Sequence, residues 1–434
     1  MSSILTNNGA MVALQTLKSI NNDLSETQSI ISTGKSVGSA KDNAAIWAIS
    51  KVMESDVQGF TAISSSLSLG ESTVAVARQG SETVTDLLTE MKDKIVASQE
   101  SNVDREKIQQ DIGALRDQIT SVVGAAQFNG LNLLSNTDTE AGSGTVSVLS
   151  SLDRSGSGVA ASNIDIKKND LGTGQAEIAA TGGAFTASID SASLTATQTG
   201  TLDLGANNQG FEAGTGYAIT MFGVDADSSS FTPGDLNTSA AATVVQADTA
   251  GSEVMYVTRD GDTAEDVAKG LQAAFEKYAS DNDIDASVLS SSVSGDTITF
   301  SSTVTDATDT INVNLSSVSA AADNTIGGGL SDLANIDVTT DDGARDALSS
   351  IEGLISKAID SAAAFGSAQG RIETQSEFVG KITDALKSGI GSLVDADMEA
   401  ASARLQALQV QQQLGVQSLS IANQAPQSIL SLFR

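Results

Sequence analysis

The 434-residue chain has no cysteine, no histidine and only two prolines, Pro233 and Pro426. Without cysteine there is no disulfide and no thiolate nucleophile. Without histidine the side chain that most often serves as general base and metal ligand is missing. The scarcity of proline leaves long stretches on both sides of Pro233 free to run as unbroken helix. Aromatic residues make up only 3%, so the cores must be built mainly from Ala, Val, Leu and Ile. Basic residues are few: 23 against 54 acidic ones, a net charge of −31. Phosphate binding needs clustered Lys and Arg, which excludes nucleic acid as a partner and disfavours anionic membrane surfaces. No apolar run reaches transmembrane length, so no membrane insertion is expected. The opening residues MSSILTNNGA offer neither a basic n-region nor an apolar h-region, so no ordinary secretory signal is expected.

What the chain does have is two ends and an insert. Residues 136–339 hold 28 acidic and 6 basic side chains, a net of −22. The ends share 26 acidic and 17 basic residues, a net of −9. The ends read as helix. A heptad runs through Ala10, Leu14, Leu17, Asn21, Leu24, Gln28 and Ile31, with steps alternating four and three. A second runs through Val394, Met398, Ala401, Leu405, Leu408, Gln412, Gly415, Leu419 and Ala422, and Pro426 follows it as an expected helix stop. Apolar residues at three- and four-residue steps predict longer helices over about 43–98, over 104–123 with Asp104 as N-cap, and through Ala347–Phe378. The insert reads mostly as strand and loop. Val254–Thr258, Thr297–Phe300 and Thr310–Leu315 are candidate strands, with one helix over about 263–279 capped by Thr263. The expected fold is mainly α, with an α+β insert.

A seam of 22 residues with polar interruptions is marginal alone in water. The matching stripe lies at the other end of the chain, and the cost of closing so long a loop grows only slowly with length. Pairing the termini makes a rod with both ends together and the insert at the other extremity. Small outward residues such as Ser19, Ser25, Ala400, Ala403 and Ala407 permit close approach by neighbouring molecules. A head-to-tail contact that does not close on itself gives a helical filament. Paired terminal helices also occur in many proteins that do not polymerise, so patterning alone leaves both readings open.

Chemistry finds little support. Gly34-Lys35-Ser36 ends like a phosphate loop, but Ser29 stands where the earlier Gly is required. Asp281, Asp283 and Asp285 begin like a calcium loop, but Ala286 and Ser292 stand at its sixth and twelfth positions; a solvated acidic turn is the plainer reading. Asp395 and Asp397 read as helix caps rather than a catalytic pair. Trp47 reads as a core or interface residue. No catalytic residue, metal ligand or cofactor is expected, and the chain is not expected to be an enzyme.

Ser39-Ala40-Lys41-Asp42-Asn43 after Ile31–Lys35, and Gln127-Phe128-Asn129-Gly130, are similar to N-terminal hallmarks of bacterial flagellins. Gly366–Glu373, with Arg371 and Ile372, resembles a C-terminal segment. Asp395-Ala396-Asp397 resembles a further signature, and Asn423-Gln424-Ala425-Pro426-Gln427 the closing one. The resemblance covers about 1–135 and 340–434. Ile46-Trp47 departs from the more frequent Gly-Leu, toward rhizobial and related sequences. Glu90–Lys94 departs from the Arg-apolar-Arg-Glu-Leu run that innate immune receptors read in some members. The resemblance implies an inner coiled-coil domain from 1–42 and 394–434. It implies a helical rod domain from 43–135 and 340–393, and a variable surface-exposed insert over 136–339. It further implies a homopolymer in the extracellular flagellar filament, with other flagellins admitted, and unfolded export through the flagellar type III apparatus. Partners would be an export chaperone, the filament cap and hook-junction proteins. Two other readings remain: a hook–filament junction protein, and a surface adhesin displayed by the insert.

Overall fold

The structure, a computed structural model, describes residues 7–155, 158–178, 189–195, 198–205, 211–226, 231–236, 254–303, 309–320 and 324–432. The chain begins with helices α1 (Asn8–Thr33), α2 (Ala44–Ser98) and α3 (Arg105–Ala125). A hairpin of β1 (Gln127–Phe128) and β2 (Leu131–Asn132) follows, then a ribbon of β3 (Thr145–Ser155) and β4 (Gly158–Lys167). Strands β5 (Asp190–Thr195), β6 (Thr199–Asp203), β7 (Gly216–Val224) and β8 (Met255–Val257) lead to helix α4 (Ala264–Asp281). Then come β9 (Ser290–Ser294), β10 (Thr297–Ser301), β11 (Thr310–Val318) and two helices, α5 (Asp341–Val394) and α6 (Met398–Leu432). The helices anticipated at both ends are present, as is a strand-rich middle. Helix α6 runs through position 426, so Pro426 is not the helix stop that was expected. A proline removes one i→i−4 bond, and the turns on either side keep theirs.

The chain divides into two compact units. The first comprises residues 1–65, 151–161 and 375–434, the second 66–150 and 162–374. In the second unit the apolar residues of α2 fall on one stripe, with Leu67, Val74, Val84, Leu88, Met91 and Ile95 buried. Ile112, Leu115, Ile119 and Val123 of α3 are buried at the same spacing, as are Ala347, Ile351, Phe365 and Ile372 of α5. Helices α2 and α5 run antiparallel here. Arg78 Nε donates to Gln369 Oε1 at 3.0 Å, and the buried hydroxyls of Ser81 and Ser361 meet at 3.1 Å. Two small serines at this crossing let the backbones come close. Asp104 caps α3 by accepting from the Lys107 N–H, as its position predicted.

The middle of the chain has its own core. One antiparallel sheet has the order β5-β11-β7-β8 and a second the order β6-β10-β9. Leu194, Ile219, Ile298, Phe300, Ile311 and Val313 are buried with Val267, Leu271 and Phe275 of α4. The Phe275 and Phe300 rings pack edge to face at 5.1 Å. Thr263 and Asp266 close a reciprocal capping box at the start of α4. At the base of this region Glu177 and Thr325 exchange both backbone hydrogen bonds, at 3.0 and 2.7 Å, so the chain arrives and departs side by side. The β3–β4 ribbon lies along α2. A Cβ on Gly70 would come within 2.7 Å of both Val148 methyls.

Candidate assembly surface

Helices α1 and α6 pack against each other and run antiparallel. Asn7 Nδ2 donates to the Ala422 carbonyl at 2.8 Å, and Gln412 Nε2 donates to Asn21 Oδ1 at 2.7 Å. At the other end of α1, Lys35 pairs with Asp395 as a short bridge, Ser36 N–H donates to the Val394 carbonyl at 2.7 Å, and Ala396 N–H donates to the Gly34 carbonyl at 3.0 Å. Gly34 ends α1 in the left-handed conformation, φ 69°. The Gly34-Lys35-Ser36 run is thus a helix end and turn.

On α6 the seam is the one the heptad describes. Val394, just before it, and Leu408 are buried, while Ala401, Leu405, Gln412, Gly415, Leu419 and Ala422 are half-buried. Met398 is the exception, 41% exposed in the first turn of the helix. On α1 the seam differs from the expected one. Leu17, Leu24 and Ile31 are half-buried, but their partners on the stripe are Ala13, Ile20 and Thr27 rather than Leu14, Asn21 and Gln28. Between positions seven apart, either the third or the fourth residue can complete a seam. Placing Ile20 and Thr27 inward buries more apolar surface than placing Asn21 and Gln28 there. The cost falls on Leu14, which is 58% exposed. Asn21, on the outside, still meets Gln412.

That exposure has company. Met11 and Val12 of α1 are 60% and 64% exposed, and Val410, Leu414 and Ile421 of α6 are 55%, 58% and 69% exposed. The last three fall within about 40° of one another around the helix, at 100° per residue. They form an outward apolar stripe on the side away from the seam.

The motif residues are mostly joints. Asp42 Oδ2 accepts from the N–H groups of Gly38 and Ser39, at 3.1 and 2.9 Å, and from the Ser39 hydroxyl. The bonds from Ser39, its backbone first, hold the Asp42 carboxyl below the usual aspartate range. Asn43 Oδ1 accepts from Ala45 and Ile46 N–H and so caps α2. Ala40 and Lys41 are exposed in the turn between. Asp397 Oδ1 accepts from Glu399 and Ala400 N–H and caps α6; Asp395 does not cap it but belongs to the bridge with Lys35. In the second unit, Asn129 and Gly130 take φ of 52° and 81°, the two positive values that a two-residue hairpin between Phe128 and Leu131 requires. Asn132 Nδ2 then donates to the Val123 carbonyl at 2.7 Å, tying the hairpin to the end of α3. Arg371 is exposed on α5, and Asn423 and Gln424 are exposed on α6. Trp47 is half-buried.

Residues 4–139 match the bacterial flagellin N-terminal helical region, and residues 348–433 match the C-terminal helical region. Flagellin A of Rhizobium meliloti is 37% identical over 441 residues, covering 100% of both chains. The chain belongs to the bacterial flagellin family. Flagellin FljM of Caulobacter vibrioides is 29% identical, covering 100% of this chain and 99% of the other. Among solved structures, FliC from Burkholderia pseudomallei is 13% identical, with a TM-score of 0.30, covering 70% of this chain and 99% of that one. As a flagellin, this chain is a subunit of the extracellular flagellar filament, built by polymerisation with its own kind. No helix among the described residues is long and apolar enough to cross a membrane.

Proposed function

We propose that the α1–α6 pair is the polymerising part of this flagellin, and that neighbouring copies cover its outward apolar stripe. The observation that carries this is the exposure of Met11, Val12, Leu14, Val410, Leu414 and Ile421 on two helices whose inner faces are already engaged. An apolar stripe on α6 and further large apolar side chains on α1, all left in water on one helix pair, need a cover. Within the pair, Leu17, Leu24 and Ile31 face Ala401, Leu405, Leu408 and Leu419 in the intramolecular seam. Leu14 and Met398 serve the contact with other copies instead. The domain division follows: 1–42 with 394–434 as the coiled-coil domain, 43–135 with 340–393 as the helical rod, and 136–339 as the insert. The insert's net charge of −22 suits an outer, solvated surface.

The role is mechanical rather than catalytic, in swimming motility, and needs no cofactor. The subunit is exported unfolded through the flagellar type III apparatus. A chaperone holds the C-terminal helix before export, and cap and hook-junction proteins meet the same ends at the filament. Full-length identity with flagellins favours a filament subunit over a junction protein, and it leaves an adhesive role for the insert as an addition. Deleting 394–434 tests the reading: the truncated chain should remain a soluble monomer at concentrations where the full chain polymerises. Filaments of the truncated chain in the electron microscope would contradict it.

A further inference from the structure

We infer that Asn7 sets the axial register of the terminal helix pair by taking the carbonyl that Pro426 leaves without a donor. In an α-helix the N–H of residue 426 would bond the carbonyl of residue 422. Proline has no N–H, and α6 continues through this position. The Ala422 carbonyl is therefore missing its own helix's donor. Pro426 is the one proline in α6, so ahead of the last turn no other carbonyl of this helix is in that state. Asn7 Nδ2 donates to it at 2.8 Å. The same side chain uses Oδ1 to accept from Ala10 N–H at 3.0 Å, capping α1. One amide thus closes the start of one helix and repairs the gap in the other.

The pair needs such a device because its seam says little about register. Ala10, Ala13, Thr27, Ala401, Gly415 and Ala422 are small, and small residues make shallow knobs. A slip of one heptad, about 10 Å, would still set apolar against apolar. Toward the start of α6, it would also bring Asn7 opposite the Gly415 carbonyl, which already has its helical partner. A polar group that can be satisfied in only one alignment penalises every other one. Asn7 acts as a positioning residue in this scheme, at the opposite end of α1 from the Lys35–Asp395 bridge.

The inference rests on the terminal pair carrying assembly, and a thermodynamic cycle separates the two. Asn7→Ser keeps an N-cap of similar strength but removes the reaching amide. Pro426→Ala gives Ala422 back its own donor. We expect Asn7→Ser alone to raise the critical concentration for polymerisation of the full chain about tenfold, the effect of leaving one acceptor unsatisfied. In the Pro426→Ala background the same change should shift it less than twofold. If Asn7→Ser abolishes filaments outright, their return in the double variant is the expected result. An equal cost in both backgrounds, no cost in either, or no rescue would overturn the inference. Full-length wild-type chain that failed to polymerise would instead sink the assembly reading itself.

Discussion

Glycine in the middle of a helix weakens it by about 1 kcal/mol relative to alanine, so a helical Gly invites a test of what its missing Cβ makes room for. Gly113 of α3 faces open space, with nothing beyond its own stretch of helix backbone within 4 Å of where a Cβ would sit. Gly70 of α2 faces the Val148 methyls at 2.7 Å. Gly113→Ala should therefore stabilise the second unit by roughly 0.5–1 kcal/mol. Gly70→Ala should destabilise it by about 1–3 kcal/mol through overpacking. Thermal unfolding of the two variants beside wild type reads both signs. A gain at Gly70 would mean that the ribbon does not lie on α2 as described.

The helix pair offers a comparison at the scale of elements. Leu408 is buried in the seam, whereas Leu14 is mostly in solvent. Leu408→Ala should lower the dissociation temperature of sheared filaments, with a loss of about 2 kcal/mol or more per subunit. Leu14→Ala should leave the helicity of the monomer unchanged and raise the critical concentration for polymerisation. Circular dichroism and sedimentation separate the two effects, and a Leu14→Ala chain that assembles like wild type would argue against a covered outer stripe. At the start of α5, loss of water and then the charges of Asp281, Asp283 and Asp342 push the Asp346 carboxyl above the usual aspartate range. The folded chain therefore holds this proton more tightly than the unfolded one, and stability falls as pH rises from about 4 through the raised value. Asp346→Asn should raise the unfolding temperature at neutral pH and change it little at pH 3. An equal effect at both would contradict the assignment.

The same elements show how far the sequence could be read. Seven-residue spacing with Leu405, Leu408 and Leu419 made the α6 seam legible, because these leucines outweigh the mostly alanine stripe that ends in Val410, Leu414 and Ile421 on the other side. On α1 two phases share Ala10, Leu17, Leu24 and Ile31, and only the burial of Ile20 and Thr27 decides between them. Pro426 reads as a stop by local rule, yet α6 continues past it, and Asn7 supplies the donor that the helix lacks there. The ribbon was hidden in Ser- and Gly-rich sequence, although Val146 and Val148 on β3 and Ile164 and Ile166 on β4 do alternate. Strands β5, β6 and β9 carry so much Ser and Thr that their register comes from pairing with β10 and β11 rather than from their own pattern.

For the whole molecule, the side-by-side passage of the chain at Glu177 and Thr325 makes the middle region removable. Replacing 179–323 with a short Gly-Ser turn should leave a chain that still forms filaments, with a less acidic surface; a chain that folds but stays monomeric would place assembly contacts in the insert. The central claim is that the two chain ends form one antiparallel pair whose outer face other copies cover. Hydrogen–deuterium exchange on full-length protein, as monomer and as sheared filament, tests it most directly. Amides of α1 and α6 should gain far more protection on assembly than those of α4 and β11. Equal protection of α1 and α6 in both states, with the purified chain remaining monomeric, would contradict it.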